Sequence, residues 1–245
     1  MASFASGEMR ARAAVLAGLA ATSALAWVAL FRLPMDTGFQ VWSPRDFALM
    51  LAMWVAMMIG MMVPSAAPAV MTYAAVSRRA AREGHAVAPT PAFVAGYALA
   101  WTLFSAAATL AQWGLERAAL LSPALAASSP RFGAGVLLAA GVYQWSPWKD
   151  ACLRQCRSPA HFIAAHWRPG PTGALRMGFA HGLYCLGCCW LLMALLFVGG
   201  VMNLLWIAAI ALFVLVEKAL PFGRGAGRVA GVALLLAGVA ALLGL

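Results

Sequence analysis

Charge is what this chain lacks. Only 10% of its 245 residues are Asp, Glu, Lys or Arg, against about a quarter in an average soluble domain. It also lacks a P-loop, a Ser-His-Asp arrangement and a pair of carboxylates spaced for acid–base work, which removes the common nucleotide-dependent and hydrolytic chemistries. No internal repeat, low-complexity segment or cytosolic domain is visible. Histidine is scarce as well: of the four present, His181 alone sits inside an apolar run, which disfavours a bis-histidine haem.

What fills the chain is hydrocarbon: 64% of the residues are apolar. A soluble core cannot hide that fraction, whereas a membrane helix needs about 20 such residues in a row. About seven stretches qualify, near 12–31, 47–76, 92–115, 132–148, 177–200, 203–217 and 227–245. The expectation is therefore an all-α integral membrane protein, a polytopic helical bundle forming a single transmembrane domain over 1–245. Arg10 and Arg12 followed by an apolar run could open a signal peptide. That run continues through Trp27, Val28 and Leu30 to Phe31, so an uncleaved helix is expected.

The net charge of +10 is a topology signal rather than a nucleic-acid footprint. With the N-terminus inside, thirteen of the seventeen Lys and Arg residues fall on the cytoplasmic side, and Arg32, Arg45, Arg117 and Arg131 remain outside. The orientation expected is N-in, C-out in a bacterial cytoplasmic (inner) membrane, with the lipid bilayer as the surrounding partner. In span two, Pro64 and Pro68 each remove a backbone donor, so a kink or break is expected in the segment from Met61 to Pro68. Glu217 and Lys218, at the end of span six, are expected to snorkel to the cytoplasmic interface. His85 stands in a basic loop with no partner nearby. Gly178 with Gly182, and Gly227 with Gly231, permit close helix approach.

The five cysteines fall in two tight groups. Cys152 and Cys156 form a C-x3-C in the polar cytoplasmic stretch 149–173, while Cys185, Cys188 and Cys189 lie in span five. At 100° per residue, His181, Cys185, Cys188 and Cys189 share one helix face, an arc of roughly 100°. Thiolates and imidazole converging in this way suit a soft metal ion. Span two adds Met50, Met53, Met57, Met58, Met61 and Met62, and a count of about 1.5 Å per residue puts Met57 and Met61 near the depth of Cys188 and Cys189. Thioethers favour Cu(I), although methionine stripes also serve as adaptable filler. Cys152, Cys156, His161 and His166 are spaced too tightly for an ordinary zinc finger, and a two-thiolate site at Cys152 and Cys156 is easier to build.

Several stretches together carry a family resemblance. They are Gly141 to Pro159, with its Trp-Ser-Pro-Trp-Lys-Asp-Ala-Cys core; His166-Trp-Arg-Pro-Gly; Met177 to Trp190; Gly-Gly-Val-Met-Asn203; Glu217-Lys218; and the Met-Met-x-Pro-Ser-Ala-x-Pro segment of span two. Over roughly residues 45–245 the chain resembles a bacterial family of predicted metal-binding integral membrane proteins, a domain of unknown function. The resemblance implies a metal role for the Cys, His and Met motifs. A mechanical parallel exists in the small mercuric-ion transporters, which pair a vicinal Cys-Cys in a span with a second cysteine pair in a cytoplasmic loop.

The reading that follows is a soft-metal protein handling Cu(I), with zinc a poorer fit. Metal would pass between a midplane site (His181, Cys185, Cys188, Cys189, with Met57 and Met61) and the cytoplasmic Cys152 and Cys156. A metallochaperone or a membrane metalloenzyme would be its partner. Two alternatives stay open: a membrane thiol–quinone oxidoreductase using Cys185-x-x-Cys188, and a structural subunit whose cysteines only pack.

Overall fold

The computed structural model describes residues 2–32, 42–84 and 89–244; His85 lies outside them. The described residues form an all-α structure: α1 (Ala2–Arg32), α2 (Pro44–Arg82), α3 (Thr90–Arg117), α4 (Pro130–Tyr143), α5 (Pro147–Arg157), α6 (Pro159–His166), α7 (Gly170–Ala194), α8 (Leu196–Gly199), α9 (Leu204–Ala219) and α10 (Gly223–Leu243). The starts follow from local chemistry. Ser43 and Asp46 cap α2 reciprocally, and the side chains of Ser146 and Asn203 accept backbone N–H groups at the starts of α5 and α9. Proline stands in the first turn of α2 to α7, where its missing N–H is harmless.

Five helical segments are long and apolar enough to cross a membrane: Gly7–Arg32, Pro44–Arg82, Thr90–Arg117, Gly170–Gly199 and Gly223–Leu243. They match five of the seven expected stretches. The other two, 132–148 and 203–217, correspond to α4 and α9, which have 14 and 16 residues. At 1.5 Å per residue these reach about 21 and 24 Å, short of a hydrocarbon core of about 30 Å. The apolar run near 132–148 is divided because Ser146-Pro147 starts a new helix before the run ends. α1 and α10 lie at the periphery with Leu25, Phe31, Val229 and Leu236 exposed, an outer surface suited to lipid rather than water.

Backbones approach closely where glycine allows it. α3 and α7 pack along Gly96, Gly178 and Gly182: a Cβ at Gly178 would overlap the Phe93 carbonyl, and one at Gly96 the Leu175 carbonyl. α10 lies on α4 by the same device, with Gly231 against the Gln144 side chain and the Gly141 carbonyl. Of the expected pairs, Gly178 with Gly182 and Gly231 stand at such crossings, while Gly227 makes room for the Glu217 side chain.

α2 is one continuous helix through Pro64 and Pro68, so of the expected kink or break the break is absent. Pro64 has no N–H for the carbonyl of Gly60. The Ser23 hydroxyl of α1 donates to that carbonyl at 3.0 Å instead, so a neighbouring helix satisfies the freed group.

The polar stretch 149–173 is folded rather than extended. α5 packs along α7 and α6 lies against α2, and Leu153, Phe162 and Ile163 are buried. This return of α5 onto α7 sets the geometry of the site.

Candidate metal centre

α7 turns His181, Cys185, Cys188 and Cys189 into the interior, and all four are buried. The carbonyl of Cys185 accepts the thiols of both Cys188 and Cys189, each at 3.0 Å. All five cysteines are free thiols. From α5, Cys156 is buried against the thiols of Cys185 and Cys188. Cys152, one turn earlier, lies over Gly187, where an added Cβ would meet its sulfur at 2.7 Å. Burial, and then the nearby Cys188, push the Cys152 thiol pKa upward. The two cysteine groups, separate in sequence, therefore stand together. Cys156, Cys185, Cys188 and Cys189 form one thiol cluster, with Cys152 at its edge.

The neighbours of the cluster are polar and charged. Lys218 of α9 is 7% exposed. Its ammonium donates to Cys185 Sγ at 2.8 Å and to Ser65 Oγ at 3.2 Å. The Tyr97 hydroxyl of α3 donates to the Met62 carbonyl and shares a hydrogen bond with Cys185 Sγ, both at 3.0 Å. Ser65 in turn donates to the Met62 carbonyl at 2.9 Å. α2 thus reaches the cysteine face of α7 through the Met62–Ser65 turn, with Tyr97 and Lys218 as intermediaries.

A second charged group lies beside the first. Lys149 of α5, 2% exposed, pairs with Glu217 at 2.8 Å and donates to the Cys188 carbonyl at 3.0 Å. Arg157 donates to the Glu217 carbonyl at 2.6 Å. Glu217 and Lys218 are therefore interior residues and do not snorkel. Lys149 and Lys218, counted as cytoplasmic charges from the sequence, lie within the bundle because each finds partners that a lipid interface does not offer.

The remaining sequence candidates fall in different places. Met57 and Met61 are buried in the core. His181 packs among Phe93, Tyr97 and Phe162, with ring centroids 5.0 to 6.0 Å away. Its Nδ1 has no hydrogen-bond partner, a buried donor or acceptor left unused. His166 stacks on Phe162 at 4.6 Å, and its Nδ1 lies 2.9 Å from the Phe162 carbonyl, while Cys156 turns to α7. The His and Cys residues of this stretch are not gathered as a zinc finger.

Among the described residues, no three His, Cys, Asp or Glu side chains are arranged to hold one metal ion. The thiol cluster is compatible with that, because Cys188 and Cys189 point back at the Cys185 carbonyl rather than at a shared centre. Two thiolates are nonetheless enough for a soft monovalent ion, and the donors present are sulfur and imidazole.

A family model described as PpoB2, copper chaperone, matches residues 51–241, a span that contains the thiol cluster, Tyr97, Lys149 and Lys218. The chain belongs to this copper-chaperone family. Its function is copper-related, and the resemblance to metal-binding membrane proteins seen in the sequence agrees with that membership. No curated protein and no solved structure matches the chain.

Proposed function

We propose that this copper-chaperone family member works within the bacterial cytoplasmic membrane, as a bundle of about seven spans oriented N-in, C-out, in which the bilayer thins locally to meet the short α4 and α9. It holds Cu(I) at the buried thiol cluster and delivers it to a membrane or exported metalloenzyme. The observation that carries the reading is the convergence of Cys156 from α5 with Cys185 and Cys188 from α7. Copper is the cargo. Cys152 and Cys156 lie on α5 within the polar stretch 149–173, so they exchange the ion with a cytoplasmic donor. Two thiolates at a time from Cys185, Cys188 and Cys189 retain it, with His181, Met57 and Met61 as auxiliary soft donors. Thiolate ligands suit Cu(I), and exclusion of water protects the ion from oxidation and hydrolysis.

Metal analysis of the detergent-purified, reduced protein tests this. Wild type should carry Cu(I) that resists a competing Cu(I) chelator. A Cys188→Ala, Cys189→Ala double variant and a Cys156→Ser variant should each lose it. Retention of full copper affinity by all of these variants removes the thiol cluster from the function.

A further inference from the structure

Two lysines are buried in this bundle, and their charges are treated differently. Lys149 is neutralised by Glu217 at 2.8 Å. Lys218 has no carboxylate within ion-pair distance among the described residues; its partners are Cys185 Sγ and Ser65 Oγ. Arg157 is turned away toward the carbonyls of Glu217 and Pro221. A buried ammonium without a counter-charge is costly, and it persists only where something compensates it. Among the described residues, the acidic group in direct contact with the ammonium is the Cys185 thiol, with Cys188 and Cys189 nearby, and thiols become anionic when they take a metal.

Resting on the copper reading above, we propose that Lys218 is a specificity residue: its fixed positive charge completes the charge balance of a two-thiolate site and selects monovalent over divalent soft ions. A monovalent ion held by two thiolates carries one net negative charge, and Lys218 cancels it. A divalent ion held by the same two thiolates is already neutral and leaves Lys218 uncompensated in a medium where charge is weakly screened. The absence of a three-ligand arrangement among the described residues matters here, since a third thiolate would let a divalent ion balance Lys218 equally well. Ser65 and Tyr97 hold the ammonium and Cys185 in register. Before loading, the ammonium stands beside the sulfur where the cargo will bind.

Ag(I) and Hg(II) separate charge from geometry, because both are soft and both take two thiolates in line. Their affinities are measured by competition with dithiothreitol on the purified, reduced, full-length protein and on Lys218→Leu, Lys218→Gln and Lys218→Arg. The neutral variants should lower the Ag(I) to Hg(II) affinity ratio by at least about tenfold, while Lys218→Arg keeps it. An unchanged ratio, or an equal loss for both ions, overturns the proposal and makes Lys218 a structural residue. X-ray absorption at the silver edge of wild type needs no variant: two sulfur neighbours at the short thiolate distance are expected, and three at that distance overturn the proposal. If wild type binds neither ion, or a Cys185→Ser, Cys188→Ser variant binds both normally, the thiol site itself is refuted, independently of Lys218.

Discussion

The Ser23 hydroxyl donates to the carbonyl of Gly60 across the α1–α2 contact, at 3.0 Å. That carbonyl is the one Pro64 deprives of its helical amide. Ser23→Ala should therefore leave a backbone acceptor unsatisfied inside the bundle and lower stability by about 1 kcal/mol, while Ser23→Thr retains the bond. Thermal unfolding in detergent reads the difference. Equal stability of the alanine variant and wild type would mean that another donor reaches Gly60.

Lys149 and Glu217 form a buried pair, so removing one partner strands the other. Lys149→Met alone and Glu217→Leu alone should each cost about 3 to 5 kcal/mol. The double variant should recover most of that, because replacing both partners by apolar groups is close to neutral. Additive losses in this double-mutant cycle would show that the charges are not coupled.

Met57 and Met61 are fully packed, and leucine preserves their volume. The Met57→Leu, Met61→Leu variant should fold with a penalty under about 1.5 kcal/mol, yet bind Cu(I) more weakly if the thioethers are donors. Full copper affinity in this variant assigns the methionines to packing.

Cys152 is half-buried, and its thiol pKa is displaced upward by burial and by Cys188. The thiolate is the reactive form. Maleimide labelling of Cys152 should thus be slower than for a free cysteine at neutral pH and rise about tenfold per pH unit until the raised pKa is passed. Because a raised pKa favours the protonated thiol in the folded state, the linked stability is intact below the free-thiol pKa and declines as pH climbs through the folded value. The proposed topology puts α5 on the cytoplasmic side, so a membrane-impermeant maleimide should label Cys152 only after permeabilisation. Labelling in intact cells inverts the topology.

The helical class, the buried face of α7 and the glycine crossings were all readable from composition and period, because each depends on residues close in sequence. The junction of Cys156 with Cys185 was not. It requires α5 to lie on α7 at Gly187, a tertiary contact between two segments that the sequence separates into loop and span. Tyr97 gave no signal and Ser65 only a place in the span-two motif, since a tyrosine or serine in a helix has many ordinary uses. Lys218 and Glu217 did give one: adjacent charges closing an apolar run. They were assigned to the lipid interface because the sequence could not show that Lys149, 68 residues away, would supply the counter-charge.

The bonds that finish the centre join distant parts of the sequence: Lys218 meets Ser65 across 153 positions, and Lys149 meets Glu217 across 68. During synthesis, the cysteines of α5 and α7 leave the ribosome well before α9. The nascent protein therefore displays its thiols while the lysine that balances them has yet to be made. Cargo capture at a completed centre is consequently a late event in biogenesis, following the insertion of α9, and a chain arrested before Lys218 would expose soft ligands without their selectivity.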